Sequence, residues 1–140
     1  PGAAPTPAPT TQPVASIPSE RAMPLIIAHR GASADAPENT LAAFRLGLEQ
    51  NADGFEGDFH LTADGQIVAM HDKDLKRTAG VDRPVASMTL EEIRSLDVGS
   101  WKSASFSAER APTLLESLAL LPDDRLFFIE IKCGPEIVPQ

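Results

Sequence analysis

Glu56 and Asp58 stand two residues apart in a stretch, Gly54 to Thr62, that reads as a strand. Residues at i and i+2 of a strand point to the same face. Two carboxylates on one inward face repel each other and lose hydration, so they need a shared proton or a cation. A divalent ion is the simpler remedy at neutral pH, and ligation by oxygen alone favours Mg²⁺ or Ca²⁺ over zinc. The alternative is that this face lies in water and the two acids are plain surface charge. Glu130 repeats the pattern within Phe127-Phe128-Ile129-Glu130-Ile131-Lys132, the most apolar run in the chain. That run predicts a strand buried on both faces, where an idle charge is costly. Glu130 and Lys132 share a face, either as an ion pair with each other or as groups that serve a metal and an anion.

Two histidines lie near these acids. His29-Arg30-Gly31 ends the short apolar run Leu25-Ile26-Ile27-Ala28, read as a buried strand. A histidine beside a carboxylate–metal cluster can exchange protons near neutral pH. An arginine next to it can neutralise and orient phosphate by a forked contact. His71 enters through hairpin arithmetic. If Asp64-Gly65 is a two-residue turn, Ala63 pairs with Gln66, and His71 falls opposite Asp58 on the same face. A three-residue loop shifts that register by one. His60 has the parity of Glu56 and Asp58 but lies further along the hairpin, outside the expected site. Asp35, Asp72 and Asp74 read as loop or turn acids. Trp101 either lines a pocket or packs, and Cys133 has no evident activating partner. No Walker-type loop and no GxSxG elbow is present in the sequence.

The elements that position these groups alternate between strand and helix. Asn39 or Thr40 caps a helix over 41–51, with Leu41, Phe44 and Leu48 on one face. The return strand of the hairpin spans 66–71. Two short helices open with capping boxes, Thr89-x-x-Glu92 and Thr113-x-x-Glu116. The third apolar strand covers 126–132. Such alternation predicts parallel βαβ units, interrupted by a β-hairpin insertion. All the candidate groups then fall at or near the carboxyl ends of parallel strands, where α/β barrels and open sheets place their chemistry.

Composition limits the partners. The chain has 12 Lys+Arg against 20 Asp+Glu, a net charge of −8, which argues against nucleic acid or an anionic membrane as the main partner. A compact anionic substrate remains compatible where a local cation receives it. The lone cysteine excludes an internal disulfide framework and a cysteine-based zinc site. No apolar run approaches the roughly 18 residues of a transmembrane span. Residues 1–18 hold six of the thirteen prolines and no charge, so residues 1–22 read as an extended Pro/Ala/Thr-rich tether without a core. A tether of this kind suits an extracytoplasmic protein, periplasmic or secreted; the cytoplasm is the other option, and oligomeric state is left open.

From about Leu25 to Pro139 the chain resembles the glycerophosphodiester phosphodiesterases, phosphodiesterases built on a (β/α)₈ barrel. The resemblance rests on many ordered blocks: Ala28-His29-Arg30-Gly31, Pro37-Glu38-Asn39-Thr40, Gly54-Phe55-Glu56-Gly57-Asp58, Leu61-Thr62-Ala63-Asp64-Gly65, His71-Asp72, Leu75-x-Arg77-Thr78, Pro112-Thr113-Leu114 and Ile129-Glu130-Ile131-Lys132. It implies metal-dependent hydrolysis of a small-molecule glycerophosphodiester to glycerol 3-phosphate and an alcohol. His29 and His71 take the acid–base roles in either order, and Arg30 contacts the phosphoryl oxygens. Glu56, Asp58 and Glu130 bind Ca²⁺ or Mg²⁺, Lys132 helps hold phosphate, and Glu38 and Asn39 support the site.

A complete barrel needs about 250 residues. Only three candidate barrel strands are legible here, so residues 23–140 are expected to be the amino-terminal portion of such a domain. On its own that portion is expected to be weakly active and prone to association or partial unfolding, because an unclosed barrel exposes strand edges and half a core. Two other readings compete. One is a sphingomyelinase-D-like enzyme that cleaves phospholipids. The other is an inactive module that pairs with another chain.

Overall fold

The computed structural model describes residues 23–138. The expected tether over residues 1–22 lies outside the described residues. The chain runs β1 (Ile27–Ala28), α1 (Leu41–Glu49), β2 (Gly54–Leu61), β3 (Ile67–Ala69), β4 (Asp74–Leu75), α2 (Lys76–Ala79), β5 (Val81–Pro84), α3 (Leu90–Arg94), α4 (Leu114–Leu118) and β6 (Leu126–Ile131).

β2 organises the sheet. β1 and β6 pair with it in parallel, and β3 folds back on it antiparallel. Phe59 is paired to Ile131 on one side and Ala69 on the other, so the hairpin strand lies on the edge opposite β6. β1, α1 and β2 form the expected parallel unit. Phe44 of α1 stacks on Phe55 of β2, and Phe127 of β6 completes the cluster, with centroids 4.5 Å apart in the Phe44–Phe55 and Phe55–Phe127 pairs. Burying a phenylalanine contributes roughly 1.5–3 kcal/mol, so this cluster fixes the helix against one face of the sheet. The opposite face of β2 is left to Glu56, Asp58 and His60. A second core, Val68, Met70, Leu75, Val85, Met88, Ile93 and Val98, lies beneath the excursion between β3 and α4.

The caps agree with the sequence. Thr40, not Asn39, caps α1, and both capping boxes are complete at α3 and α4. Two strands differ from expectation. Only Ile27–Ala28 of the first apolar run is strand, and Leu25 and Ile26 are exposed. Ile26 donates its N–H to the Asp53 carboxylate and accepts the Asp53 N–H at its carbonyl. β6 is not buried on both faces: Phe128 is 52% exposed, and Leu126, Ile129 and Ile131 are exposed as well. Among the described residues β2 is its only strand neighbour, so nothing covers its other edge. No described helix is long and apolar enough to cross a membrane.

Gly31 turns the chain from β1 toward α1. It sits at φ +76°, and a Cβ there would lie 2.5 Å from the backbone carbon of Ala43. Gly31→Ala therefore meets both a left-handed backbone and a clash, for an expected loss of about 2–4 kcal/mol in urea unfolding. Gly80 has φ +71° with open space around its Cβ position. Gly80→Ala should cost only about 1 kcal/mol, and an equal cost for both would remove the steric part of this argument.

Candidate active site

Glu56 and Asp58 share the open face of β2, and the β2–β6 register sets Glu130 directly beside Asp58. One carboxylate oxygen from each of the three lies within 4.8 Å of the other two. Asp58 is wholly buried. Asn39 Nδ2 donates to its Oδ2 at 2.8 Å, and the Asp58 N–H donates to Asn39 Oδ1 at 3.1 Å. Arg30 Nε stands 3.3 Å from Oδ2, and Lys132 Nζ stands 3.4 Å from Oδ1. Glu56 Oε2 accepts the Arg30 N–H at 2.9 Å, with His29 Nε2 at 3.9 Å. Burial pushes the Glu56 carboxyl up; the Arg30 N–H opposes this, and the Asp58 charge adds to the rise.

Glu56 Oε1 is buried without a hydrogen-bond partner, and Asp58 Oδ1, equally buried, has the Lys132 ammonium at 3.4 Å but no well-formed hydrogen bond. Buried carboxylate oxygens are costly in that state, so they identify where a positive ligand is needed. The backbone is strained at the same place. Arg30 and Asn39 have φ of +57° and +56°. A left-handed residue with a side chain costs about 1–2 kcal/mol. Here it turns the Arg30 N–H onto Glu56 and the Asn39 amide onto Asp58.

A second network flanks the carboxylates. His71 Nδ1 donates to Asp72 Oδ1 at 2.8 Å. Asp72 Oδ2 accepts from Arg77 Nε at 2.7 Å. The two terminal nitrogens of Arg77 then grip both oxygens of Glu38, at 2.7 and 3.0 Å. Glu38 Oε1 also accepts from Arg30 Nη1 at 3.3 Å. For Glu38, burial raises the carboxyl, but the Arg77 hydrogen bond and the charges of Arg77, Arg30 and His71 together bring it below its ordinary value.

Residues 29–138 match the profile of the glycerophosphoryl diester phosphodiesterase family. The chain belongs to that family. The glycerophosphodiester phosphodiesterase of Caldanaerobacter subterraneus is 47% identical over 116 residues, 82% of this chain and 48% of that protein. Among solved structures, a phosphodiesterase of Oleispira antarctica in complex with its product sn-glycerol-3-phosphate superposes with a TM-score of 0.74 at 40% identity, covering 78% of this chain and 44% of that one. The glycerophosphodiester phosphodiesterase of Agrobacterium tumefaciens gives 0.75 at 40% identity, covering 78% and 47%. The chain thus spans about half the length of the relatives it matches. Its fold is the family's α/β barrel, present in part: three parallel strands and a β-hairpin.

Most residues expected in a phosphodiesterase site converge. Glu56, Asp58, Glu130, Lys132, Arg30, Asn39 and His29 form one connected group, and Glu38 joins it through Arg30. Lys132 donates to Glu130 Oε1 at 3.0 Å, so the ion pair that the spacing allowed is made, and that hydrogen bond holds the ammonium pKa up. His71 requires a correction. It is not opposite Asp58, because the hairpin loop has three residues and Phe59 pairs with Ala69. Thr62 causes this: its N–H and Oγ1 both engage Gln66, which lengthens the loop by one. Met70 takes the place beside Asp58, and His71 follows it.

Three neighbours of the site were given no role in it from the sequence. His60, expected outside the site, is buried; its Nε2 donates to the His71 carbonyl at 3.3 Å, and burial lowers its pKa. Asp72 is not an idle turn acid but the partner of His71. Arg77 joins segments 39 residues apart. Asp35 and Asp74 do serve locally, on Gln50 and on the Lys76 N–H.

Asp72 also sets an acid limit on stability. The Arg77 hydrogen bond, ahead of that from His71, holds its carboxyl down at about 2, against an ordinary 3.8. A carboxyl depressed in the fold contributes stability that is full above about pH 4 and is lost as pH falls toward 2. Asp72→Asn should flatten the fall in thermal midpoint between those limits, by no more than a few degrees because the pair is partly exposed. An unaltered acid limb would show that the pair contributes nothing.

Proposed function

We propose that this chain supplies the catalytic core of a phosphodiester hydrolase that cleaves glycerophosphodiesters to glycerol 3-phosphate and an alcohol, with a divalent cation held by Glu56, Asp58 and Glu130. The observation that carries this reading is the pair of buried oxygens within reach of Glu130: Glu56 Oε1, which has no hydrogen-bond partner, and Asp58 Oδ1, which has only a 3.4 Å contact with the Lys132 ammonium. Charge supports it. Glu38, Glu56, Asp58, Asp72 and Glu130 face Arg30, Arg77 and Lys132, with the imidazoles of His29 and His71 beside Glu56 and Asp72; counting both imidazoles as neutral, the cluster is two positive charges short. One divalent ion supplies that deficit, and the all-oxygen donor set suits Mg²⁺ or Ca²⁺.

When bound, the ion supplies electrophilic charge to the phosphoryl group. The remaining work falls to side chains of the chain. Arg30, held by Glu38 and Asp58, orients the phosphoryl oxygens, and Lys132 adds a second positive charge. One histidine takes the proton of the nucleophile as its bond to phosphorus forms. The other gives a proton to the alcohol oxygen as the ester P–O bond breaks. His71, with Nδ1–H committed to Asp72, presents Nε2 for this exchange. His29, 67% exposed at its side chain, offers its ring beside Glu56, with Nε2 3.9 Å from Oε2.

The open face of β6 supports weak turnover by residues 23–138 alone, so the assay uses the full-length protein. Incubation with glycerophosphocholine is expected to release glycerol 3-phosphate and choline, to stop on chelation, and to resume with Mg²⁺ or Ca²⁺. Absence of glycerol 3-phosphate with either cation would overturn the reading.

A further inference from the structure

We propose that Arg77 is a positioning residue for the hydrolysis, clamping Asp72 and Glu38 so that His71 and Arg30 are held in working orientation. The proposal rests on the acid–base reading of His71. Arg77 sits on α2, a single helical turn. Each nitrogen of its guanidinium donates to one of the two carboxylates: Nε to Asp72, and both terminal nitrogens to Glu38 in a forked contact. The Trp101 ring lies behind it, 5.6 Å from the guanidinium carbon. Trp101 is itself tied by Nε1–H to the Val98 carbonyl. The fork is therefore backed as well as gripped.

The two carboxylates hold the two groups that the reaction needs. Asp72 has one oxygen on Arg77 and the other on His71 Nδ1. An ionised carboxylate accepts only, so the imidazole must carry its proton on Nδ1, which leaves Nε2 for chemistry. Without Arg77, Asp72 is a flexible acid on a turn, and the ring loses its fixed tautomer and direction. Glu38 similarly spans Arg77 and Arg30 through Oε1. One guanidinium thus braces both the proton-transfer arm and the phosphate-binding arm. Partners of this kind, one contact removed from the reacting groups, typically account for 10–100-fold in activity.

The competing explanation is a stabilising surface ion-pair network. Arg77 is 42% exposed at its side chain, and ion pairs at such exposure contribute little to stability. The two explanations therefore predict different losses. In the full-length protein, Arg77→Ala should lower kcat roughly 10–100-fold and change KM by less than about threefold. Its thermal midpoint should stay within a few degrees of the parent. Arg77→Lys should remain impaired, since an ammonium cannot reproduce the fork. Methylguanidinium in solution should restore part of the kcat of Arg77→Ala. ¹⁵N NMR of the His71 ring should show a fixed Nδ1–H tautomer in the parent and a mixture in the variant. Lys76→Ala is the local control: it breaks the exposed Lys76–Asp82 pair on the same turn and should leave kcat unchanged.

An unchanged kcat in Arg77→Ala overturns the proposal. So does a fall in kcat accompanied by a large fall in midpoint, without rescue and with the His71 tautomer intact. If the parent protein releases no glycerol 3-phosphate at all, the function reading fails instead, and the tautomer measurement still decides whether Arg77 orders His71.

Discussion

Asp58→Asn is expected to cut glycerophosphodiester turnover by about 10³-fold or more and to abolish the rise in thermal midpoint on adding Mg²⁺ or Ca²⁺. Asparagine has the shape of aspartate, so packing beneath the carboxylates is kept and the charge alone is removed. That charge has no substitute. Asp58 is wholly buried, and it holds Asn39, Arg30 and Lys132 together through its two oxygens. Its Oδ1, buried with only a 3.4 Å contact to the Lys132 ammonium, is also one of the two oxygens that call for a cation. An ion that binds only the folded state at about 100 times its Kd adds about 2.7 kcal/mol. The parent should show that increment, and the variant should not. The comparison is of cation-induced shifts, so a general loss of stability in the variant does not enter it. A variant that kept the full shift would remove Asp58 from the proposed ion site and, with it, the charge argument for the cluster.

The fold was legible wherever it is decided locally. The threonine–glutamate capping boxes at α3 and α4, the turn at Asp64-Gly65 and the shared face of Glu56 and Asp58 follow from spacing of two to four residues. The hairpin register was not legible, because it turned on one side chain. Thr62 holds Gln66 by backbone and hydroxyl together, and this moved the whole pairing by one place. Arg77 and Asp72 were hidden for a different reason. Their partners are Glu38 and His71, and the fork to Glu38 closes a loop of 39 residues that no local pattern reports. The exposure of β6 was concealed by composition: an apolar strand reads as buried, whether or not a second neighbour covers it. The left-handed backbone at Arg30 and Asn39 was equally unreadable, since neither residue type requires it. Both conformations exist because they aim donors at Glu56 and Asp58.

The two histidines carry the second large prediction. His29→Ala and His71→Ala should each lower kcat roughly 10²–10⁴-fold on glycerophosphocholine, as expected for a lost general acid or base. The double variant should be little worse than the poorer single one, because the two proton transfers belong to one concerted step. Their environments differ. His71 has Nδ1 tied to an ionised Asp72, while His29 is largely exposed and meets only the edge of Glu56 at 3.9 Å. His29 stands beside Glu56, His71 is tied through Asp72, Arg77 and Glu38 to Arg30, and the leaving group distinguishes their roles. A choline alkoxide needs a proton as it departs; a nitrophenolate does not. With the nitrophenyl ester of glycerol 3-phosphate, the variant lacking the general acid should regain at least about 10-fold of its lost rate, and the variant lacking the base should regain none. Rescue of both variants would mean that neither histidine removes the nucleophile's proton. Rescue of neither would leave the departing alcohol without its acid. Either result would dismantle the paired mechanism while leaving the carboxylate site to stand or fall on its own cation test.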